Sequence, residues 1–341
     1  MRVAINGFGR IGRPSFKVLL EKEGAEVVAI NDLGEIESLA YLLKYDTAYG
    51  VYNREVRTKI LPEEEYNLLL VDGKEIKVYS QPEPEKLPWA ELGVDVVLEC
   101  TGFFKERSKA EKHLKAGARK VIISAPTKDE TIKTIVRGVN EDSISEDDNI
   151  LSNASCTTNC IAPVMKVLED AFGVEKSLMS TIHSYTSTQN LVDGASKKDL
   201  RRGRAAAQNV VPSTTGAAIA TTKTLPALTG LFDGMAYRVP TLVGSISEVV
   251  ALLKKEVTAE EVNDVLKEAS KGKLKGILAV TAEALVTRDI VGNPHSAIVQ
   301  EELTKVVAGN LVKVVAWYDN EWGYSNRLVE LAEYVGRKFK A

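Results

Sequence analysis

The 341-residue chain contains little cysteine, little histidine and no marked excess of either charge. Its three cysteines, Cys100, Cys156 and Cys160, are too few for a disulfide framework, which favours a reducing, cytoplasmic setting. No apolar run approaches the roughly 18 residues that span a bilayer, and the N-terminus is too short for a signal-peptide core. Lys and Arg number 44 and Asp and Glu 47, and this net charge of −3 disfavours a nucleic-acid or membrane surface. We therefore expect a cytoplasmic protein without nucleic-acid or membrane partners, and we predict no metal site.

Short β-branched runs alternate with helical patterns in the first part of the chain. Two of the runs, Asp95–Cys100 and Lys120–Ser124, are almost entirely apolar, as is typical of a parallel sheet covered on both faces. The pair Asp72-Gly73 predicts a hairpin. Further strands are predicted at Arg2–Asn6, Glu26–Asn31, Leu68–Val71 and Glu75–Tyr79, and helices at Ile11–Leu20 and Glu35–Lys44. This alternation predicts an open, doubly wound α/β sheet.

The pattern changes after about residue 149, where the strand-like runs become longer and alternate between apolar and polar residues. Strands are predicted at Lys176–His183, Met235–Val239, Ser245–Lys254 and Asn310–Tyr318, and helices at Pro163–Phe172, Glu260–Lys271 and Glu321–Lys340. This mixture indicates a second domain of the α+β type. A chain of this length is expected to form about two domains.

A glycine-rich loop connects the first predicted strand to the first helix. Gly7, Gly9 and Gly12 form the pattern G-x-G-x-x-G, in which glycine permits a sharp turn and a close approach to a pyrophosphate. The N-terminus of the following helix favours the same anion. Asp32, twenty residues beyond Gly12, can accept bonds from both ribose hydroxyls and would repel a 2′-phosphate. These residues predict a dinucleotide site that favours NAD; the alternative is a glycine turn without a ligand.

Two further segments follow strands of the predicted sheet. Thr101 and Gly102 come directly after one apolar strand, and Ser124 ends the next. Ligands of open α/β sheets lie beyond the carboxyl ends of the strands, so these residues are candidate cofactor contacts. Ordinary strand-exit turns explain the same residues equally well.

Cys156 lies among serines and threonines, in the first turn of a predicted helical stretch. The helix dipole and the free N–H groups there favour the thiolate over the thiol. The alternative is a small buried apolar residue, which is how we interpret Cys160 and Cys100.

A nucleophilic cysteine needs a base, and the chain has only three histidines. His183, at the end of a predicted strand, is the candidate, although a buried structural histidine would suit the same place. We expect His113 in an exposed helix among lysines and His295 in a loop.

Candidate anion ligands occur in three places. Arg238 lies in an apolar strand and needs an anionic partner, either a bound phosphate or an internal carboxylate. The charged run at 197–204 is typical of a solvated face or a subunit contact. The hydroxyl-rich stretch at 213–216 suits phosphate oxygens but also suits a helix cap.

Five motifs, in order along the chain, resemble those of the phosphorylating glyceraldehyde-3-phosphate dehydrogenase family. They are Asn6–Arg13, Ser152–Asn159, Thr181–Thr186, Arg238–Thr241 and Trp317–Ser325, and they cover essentially the whole chain. The resemblance implies oxidation of D-glyceraldehyde 3-phosphate with inorganic phosphate and NAD, in glycolysis or gluconeogenesis, by a homotetramer. It also implies a Rossmann-type dinucleotide-binding domain of residues 1–154 and 321–341, to which the C-terminal helix returns. Residues 155–320 would form a catalytic domain with a large, mostly antiparallel sheet.

The resemblance also implies roles for individual residues. It makes Cys156 the nucleophile and His183 its base. The implied cofactor contacts, beside the glycine loop, are Arg10, Ile11, Asp32, Ser124, Asn320 and Tyr324. The implied ligands of the substrate's own phosphate are Thr186 and Arg238, and those of inorganic phosphate are Ser155, Thr157, Arg202, Thr215 and Gly216.

Three positions depart from the family pattern. Thr188 occupies a position where members often carry Asp, and Pro82 one where many carry Arg. The loop at 193–198 contains Ala195-Ser196 rather than a proline, which resembles members with dual specificity and makes NADP a second candidate cofactor. The rival functions are an erythrose-4-phosphate dehydrogenase, an aspartate-semialdehyde dehydrogenase type, and a nucleotide-binding scaffold that has lost catalysis.

Overall fold

The computed structural model describes residues 1–196 and 199–338, which divide into two compact units. The first contains Met1–Ile135, Asp142–Ala154 and the chain from Ser325 onward; the second contains Val136–Glu141 and Ser155–Tyr324. This division differs from the predicted one at residues 136–141 and 321–324, which belong to the second unit. Lys197 and Lys198 of the charged run, and residues 339–341 of the predicted C-terminal segment, lie outside the described residues.

The first unit is organised around one large sheet. Its helices are α1 (Gly12–Leu19), α2 (Ile36–Lys44) and α3 (Arg107–Lys115). Its strands are β1 (Arg2–Asn6), β2 (Glu26–Asn31), β3 (Tyr45–Asp46), β4 (Gly50–Val51), β5 (Val56–Lys59), β6 (Tyr66–Val71), β7 (Lys74–Tyr79), β8 (Val96–Glu99), β9 (Lys120–Ile123), β10 (Lys133–Thr134) and β11 (Ile150–Ser152).

The strand order in this part of the described chain is β10-β11-β9-β8-β1-β2-β7-β6-β5, and β3 pairs with β4 separately. The strands from β10 to β7 in that order run parallel, whereas β5, β6 and β7 are antiparallel neighbours. The chain leaves β1 towards β2 and later returns to the other side of β1 at β8. The predicted open α/β sheet is confirmed, and ligands of such sheets bind where the winding changes direction, beyond the ends of β1 and β8.

Burial explains why the strands of this sheet are nearly all apolar. Val96, Val97 and Leu98 of β8 are completely buried, because both faces of the sheet are covered. The predicted hairpin between β6 and β7 is also present, and Asp72 and Gly73 turn it with φ angles of 49° and 79°.

The second unit combines three helices with another sheet. The helices are α4 (Cys156–Phe172), α5 (Ala217–Thr224) and α6 (Ala259–Lys271). The strands are β12 (Val174–Ser184), β13 (Val211–Thr214), β14 (Phe232–Val239), β15 (Ser245–Leu253), β16 (Leu278–Thr281), β17 (Ala297–Gln300), β18 (Lys305–Val307) and β19 (Leu311–Tyr318). Their order is β13-β14-β12-β15-β19-β17-β16, and β18 pairs with β19.

This second sheet is mostly antiparallel, as predicted; the β12–β14 and β16–β17 pairs are its parallel exceptions among the described residues. One face packs on α4, whose buried residues include Ile161, Val164 and Leu168. The last helix, α7 (Trp322–Lys338), begins in the second unit and belongs to the first from Ser325 onward.

Helix α4 begins at Cys156, which agrees with the prediction that Cys156 lies in a first helical turn. The predicted helical stretch Pro163–Phe172 is therefore only its later part, and Pro163 lies in the helix interior. Proline normally favours the first turn, because it lacks the N–H that bonds one turn back. Here Ser155 caps the helix by accepting a bond from the N–H of Thr158 at 3.1 Å, and packing on the sheet stabilises the helix beyond the proline.

Candidate active site

Cys156 and His183 lie side by side in the second unit. Cys156 is the first residue of α4, and His183 is the penultimate residue of β12. The Cys156 Sγ atom lies 3.3 Å from His183 Nε2, within reach for proton transfer. These two residues are 27 positions apart in the sequence, and the packing of α4 on the sheet brings them together.

The other nitrogen of His183 contacts two groups. Nδ1 lies 2.7 Å from the carbonyl oxygen of Ser184 and 2.5 Å from Nη1 of Arg238. Burial, assisted by the charge of Arg238, lowers the pKa of His183 to about 3. The imidazole is therefore held in a site that opposes a permanent positive charge on it.

Burial also raises the pKa of Cys156, against the direction expected from its place at a helix N-terminus. The charge of Arg238 and hydrogen bonds from Thr157 lower the pKa of the thiol and so oppose that effect. Transfer of the thiol proton to Nε2 would create a thiolate beside an imidazolium, 3.3 Å apart. The attraction between these opposite charges stabilises the charged forms of both groups and so opposes the effect of burial.

Tyr318 completes this cluster, and sequence reasoning gave it no role. Its hydroxyl lies 3.0 Å from Oγ1 of Thr157 and 2.8 Å from Oγ1 of Thr181, and its ring meets the His183 ring edge to face at 6.0 Å. Burial raises the pKa of Tyr318. Its position as the last residue of a predicted strand was the available signal, but no local pattern indicates which side chain it contacts.

Arg238 has no carboxylate partner in the described part of the chain. Its Nη1 group donates to the carbonyl of Ser184 at 3.0 Å and contacts His183, and burial lowers its pKa with a contribution from the charge of Arg202. The internal ion pair considered from the sequence is therefore wrong. A half-buried guanidinium beside the thiol–imidazole pair is suited to an anion from outside the protein.

The remaining candidate phosphate ligands belong to the same unit. Ser155 caps α4, Thr157 contacts Tyr318, and Thr186 Oγ1 lies 2.8 Å from Oγ1 of Thr188. Near β13, Arg202 Nη2 donates to the carbonyl of Thr214 at 3.3 Å; β13 pairs with β14, the strand that carries Arg238.

Thr215 and Gly216 form the turn into α5. The Thr215 hydroxyl accepts from the N–H of Ala217 at 3.1 Å, and Gly216 occupies the N-cap position. These residues therefore form the start of α5, and the first N–H groups of a helix have no partner within the helix, so they can also donate to an anion.

Asn320 is held in one orientation by three donors. Its Oδ1 atom accepts bonds from the N–H of Gly244 at 3.0 Å and from the hydroxyls of Ser245 at 3.0 Å and Ser184 at 2.9 Å. Three bonds to the oxygen fix the amide plane and leave Nδ2 as the group that can donate to a ligand. Tyr324, the other predicted cofactor contact of this region, is buried.

The glycine loop of the first unit borders a cleft of about 540 Å³ that is also lined by Asp32 and Thr101. A Cβ atom at Gly7 would lie 2.7 Å from the Thr101 nitrogen, and one at Gly12 would lie 2.1 Å from the Gly7 carbonyl oxygen. Only glycine therefore permits this approach between the loop, the helix and the end of β8. Gly9 has open space beside it. This geometry fits a dinucleotide pyrophosphate.

Other predicted cofactor contacts border this loop or follow the neighbouring strands. Asp32 accepts from the N–H of Phe8 at 2.6 Å and of Gly34 at 2.9 Å, which orients its carboxylate. Arg10 forms an ion pair with Asp46 at 2.6 Å. The other predicted contacts are placed as follows: Ile11 immediately before α1, Gly102 with a φ of 74° after β8, and Ser124 directly after β9.

The prediction for His113 was wrong. The ring is completely buried and contacts Glu99, the last residue of β8, and Trp89. Lysines surround it in the sequence, but they occupy the other faces of α3, whose buried residues are Ala110 and His113.

Comparison with known proteins gives matches over almost the whole chain. Residues 1–107 match the NAD binding domain of glyceraldehyde 3-phosphate dehydrogenase, and residues 155–320 match the C-terminal domain of the same family. Glyceraldehyde-3-phosphate dehydrogenase of Geobacillus stearothermophilus is 52% identical over 339 residues, covering 99% of each chain. Glyceraldehyde-3-phosphate dehydrogenase 2 of Streptomyces avermitilis is 51% identical over 341 residues, also with 99% of each chain covered. No helix within residues 1–196 and 199–338 has the length and apolarity needed to cross a bilayer.

Proposed function

The chain belongs to the glyceraldehyde-3-phosphate dehydrogenase family, and we propose that it converts D-glyceraldehyde 3-phosphate and inorganic phosphate to 1,3-bisphosphoglycerate in glycolysis or gluconeogenesis. The observation that carries this proposal is the 3.3 Å contact between Cys156 Sγ and His183 Nε2 beside Arg238, which has no carboxylate partner among the described residues. NAD, when bound, supplies the hydride acceptor. The glycine loop and Asp32 would hold it, and the Asn320 amide would orient its nicotinamide.

The chemistry of the chain's own residues follows from this geometry. Cys156 Sγ forms a bond to the aldehyde carbon, and the thiol proton passes through His183 to the aldehyde oxygen, which becomes the hydroxyl of a hemithioacetal. His183 Nε2 is the ring nitrogen that faces the thiol, at 3.3 Å from Sγ, so it is the nitrogen placed to exchange protons with the reacting group. Nε2 then accepts the hydroxyl proton as the hemithioacetal is oxidised to a thioester.

Phosphate completes the reaction. A phosphate oxygen attacks the thioester carbonyl, the carbon–sulfur bond breaks, and Cys156 leaves as a thiolate while the acyl phosphate departs. Arg238 and Thr186 would bind the substrate's own phosphate. Ser155, Thr157, Arg202, Thr215 and Gly216 are the proposed ligands of the attacking phosphate.

Cofactor choice is the finer part of the proposal. The carboxylate of Asp32 opposes a 2′-phosphate, which favours NAD. Ala195-Ser196 in the loop before β13 supports some use of NADP. We propose that NAD is preferred and that NADP is a weaker substrate.

We propose a homotetramer for the assembly. The face of the second sheet that does not pack on α4 exposes apolar side chains: Leu178 is 66% exposed, Met235 39% and Leu311 39%. A sheet face that remained in water would carry polar residues at these alternate positions. A second copy of the chain, with the same apolar face, is the partner that this surface fits.

A steady-state assay tests the function. Reduction of NAD is followed by absorbance with glyceraldehyde 3-phosphate, with and without inorganic phosphate, and then with NADP. We expect turnover to depend on phosphate and Cys156→Ala to abolish oxidation while NAD still binds. Phosphate-independent turnover with erythrose 4-phosphate would favour the rival dehydrogenase, and near-normal turnover of Cys156→Ala would exclude the proposed nucleophile.

A further inference from the structure

We propose that Glu99 is a positioning residue for the cofactor: its buried carboxylate fixes the two strand ends that form the floor of the dinucleotide cleft. The inference rests on the proposed use of NAD and deepens it. Glu99 is the last residue of β8 and is only 1% exposed. It is not among the residues that line the cleft, so it would act through its neighbours.

Hydrogen-bond donors converge on both oxygens of this carboxylate. Oε2 accepts from Asn6 Nδ2 at 2.6 Å and from His113 Nε2 at 3.2 Å. Oε1 accepts from the Thr101 N–H at 2.8 Å and from the Thr101 hydroxyl. A buried carboxylate is costly unless its lone pairs are satisfied, and this one has four donors from three chain segments.

Trp89 determines the tautomer of His113. The Trp89 Nε1–H group lies 3.1 Å from His113 Nδ1, and an indole nitrogen can only donate. Nδ1 is therefore the acceptor, and the ring proton is on Nε2, directed at Glu99. The completely buried ring thus acts as a neutral donor to the carboxylate.

From Glu99 the hydrogen bonds continue along the carboxyl ends of the neighbouring strands. Asn6 Oδ1 accepts from Asn31 Nδ2 at 2.7 Å, and Asn31 exchanges bonds of 2.8 and 2.9 Å with the backbone of Gln81. Asn6, Asn31, Gln81 and Thr101 all line the cleft. One chain of hydrogen bonds therefore connects the ends of four adjacent strands, β7, β2, β1 and β8, under the site.

The glycine loop makes the cleft sensitive to this chain of bonds. Gly7 follows Asn6 directly, and a Cβ atom there would lie 2.7 Å from the Thr101 nitrogen and 2.9 Å from the Thr101 methyl carbon. The loop that receives the pyrophosphate thus packs on the residue whose N–H and hydroxyl Glu99 holds. A shift of Thr101 moves the surface on which that loop lies.

Glu99→Gln tests the proposal with almost no change in shape. An amide offers one acceptor oxygen, and its NH₂ group would face donors that now have no acceptor. We expect the dissociation constant for NAD, measured by calorimetry, to rise at least tenfold. Alkylation of Cys156 by iodoacetamide and the KM for glyceraldehyde 3-phosphate should stay within twofold. Glu75→Gln, on an exposed position of β7 in the same sheet, is the control and should bind NAD normally.

Two results with a folded variant would overturn the inference. NAD binding by folded Glu99→Gln within twofold of the unsubstituted protein would show that the carboxylate does not position the site. Weaker NAD binding accompanied by an equal change in Cys156 alkylation would show a general disturbance rather than a positioning role. Should Glu99→Gln fail to fold, His113→Gln takes its place under the same criteria. Failure of the unsubstituted protein to bind NAD would instead refute the proposed function as well, so the two failures are distinguishable.

Discussion

Replacement of His183 by glutamine should shift the pH dependence of Cys156 reactivity to higher pH. Burial raises the pKa of the thiol, so the thiolate fraction and the rate of alkylation rise as the pH rises. In the unsubstituted protein the imidazole, 3.3 Å away, can take the thiol proton and face the thiolate as a cation. Glutamine cannot take the proton, so no imidazolium faces the thiolate, and burial then raises the pKa of the Cys156 thiol without that opposing charge.

The magnitude follows from the short contact. Two unit charges 3.3 Å apart attract by about 5 kcal/mol at an effective dielectric constant of about 20. Burial of the imidazolium offsets part of this attraction, and an opposite charge so close lowers a pKa by about 1–3 units in practice. We therefore expect His183→Gln to move the alkylation inflection upward by about 1–3 pH units and to slow alkylation at pH 7 at least tenfold.

The assay is the rate of inactivation by iodoacetamide, followed as loss of free thiol between pH 5 and pH 10. Cys156 and Cys100 are both partly exposed, the latter against the prediction of a buried residue, whereas Cys160 is buried; the alkylated residue is therefore identified by mass spectrometry of the peptides. His295→Gln removes another histidine of the same unit, from a loop, and should leave the profile unchanged. If His183→Gln and the unsubstituted protein shared one inflection, the proposed proton transfer between Sγ and Nε2 would be refuted.

Three further changes test other parts of the structure. Tyr318→Phe removes a hydroxyl bonded to two buried threonine hydroxyls, and the free energy of unfolding in urea should fall by about 1–3 kcal/mol; an unchanged midpoint would contradict the packing described. Asp32→Asn removes the charge that opposes a 2′-phosphate, so the NADP-to-NAD ratio of kcat/KM should rise at least tenfold, and a constant ratio would exclude that role. Leu178→Lys places a charge on the apolar sheet face and should dissociate the proposed tetramer in light scattering, whereas Glu175→Lys on the same strand should not; an unchanged assembly in both would place the interface elsewhere.

Strands of the first sheet could be predicted closely because their signal is local. Arg2–Asn6 and Glu26–Asn31 have the predicted bounds, since each is a short apolar run that the sheet buries on both faces. The hairpin at Asp72-Gly73 is likewise determined by two residues that accept positive φ angles. The sequence offered two starts for α4, the turn at Cys156 and the proline at 163; the helix begins at Cys156, and tertiary packing overrides the local signal of Pro163.

The candidate site likewise has a part that depends on local sequence and a part that depends on long-range packing. The glycine loop is contiguous in sequence, and its geometry agrees with what the spacing indicates. The contact between Tyr318 and Thr157 joins residues 161 positions apart, and no local pattern specifies it. The absence of a carboxylate partner for Arg238 in the described chain could not be predicted either, because it depends on every element that packs around β14.

His113 shows that a weak local signal can be present and still be outweighed. Ala110 and His113 are spaced i and i+3, so they occupy one face of α3, and these are the residues that the helix buries. The lysines before and after them led to the prediction of a fully exposed helix. Composition counts all residues of the segment together, whereas the fold exposes the lysines on one side of the helix and buries these two residues on the other. A polar residue on the only apolar stripe of a charged helix therefore predicts a buried hydrogen bond, and here the acceptor is the carboxylate at the end of β8. The role of Glu99 could not be predicted for a related reason. A single acidic residue at the end of an apolar strand is typical of an ordinary strand end, and its donors come from three segments that are distant in sequence.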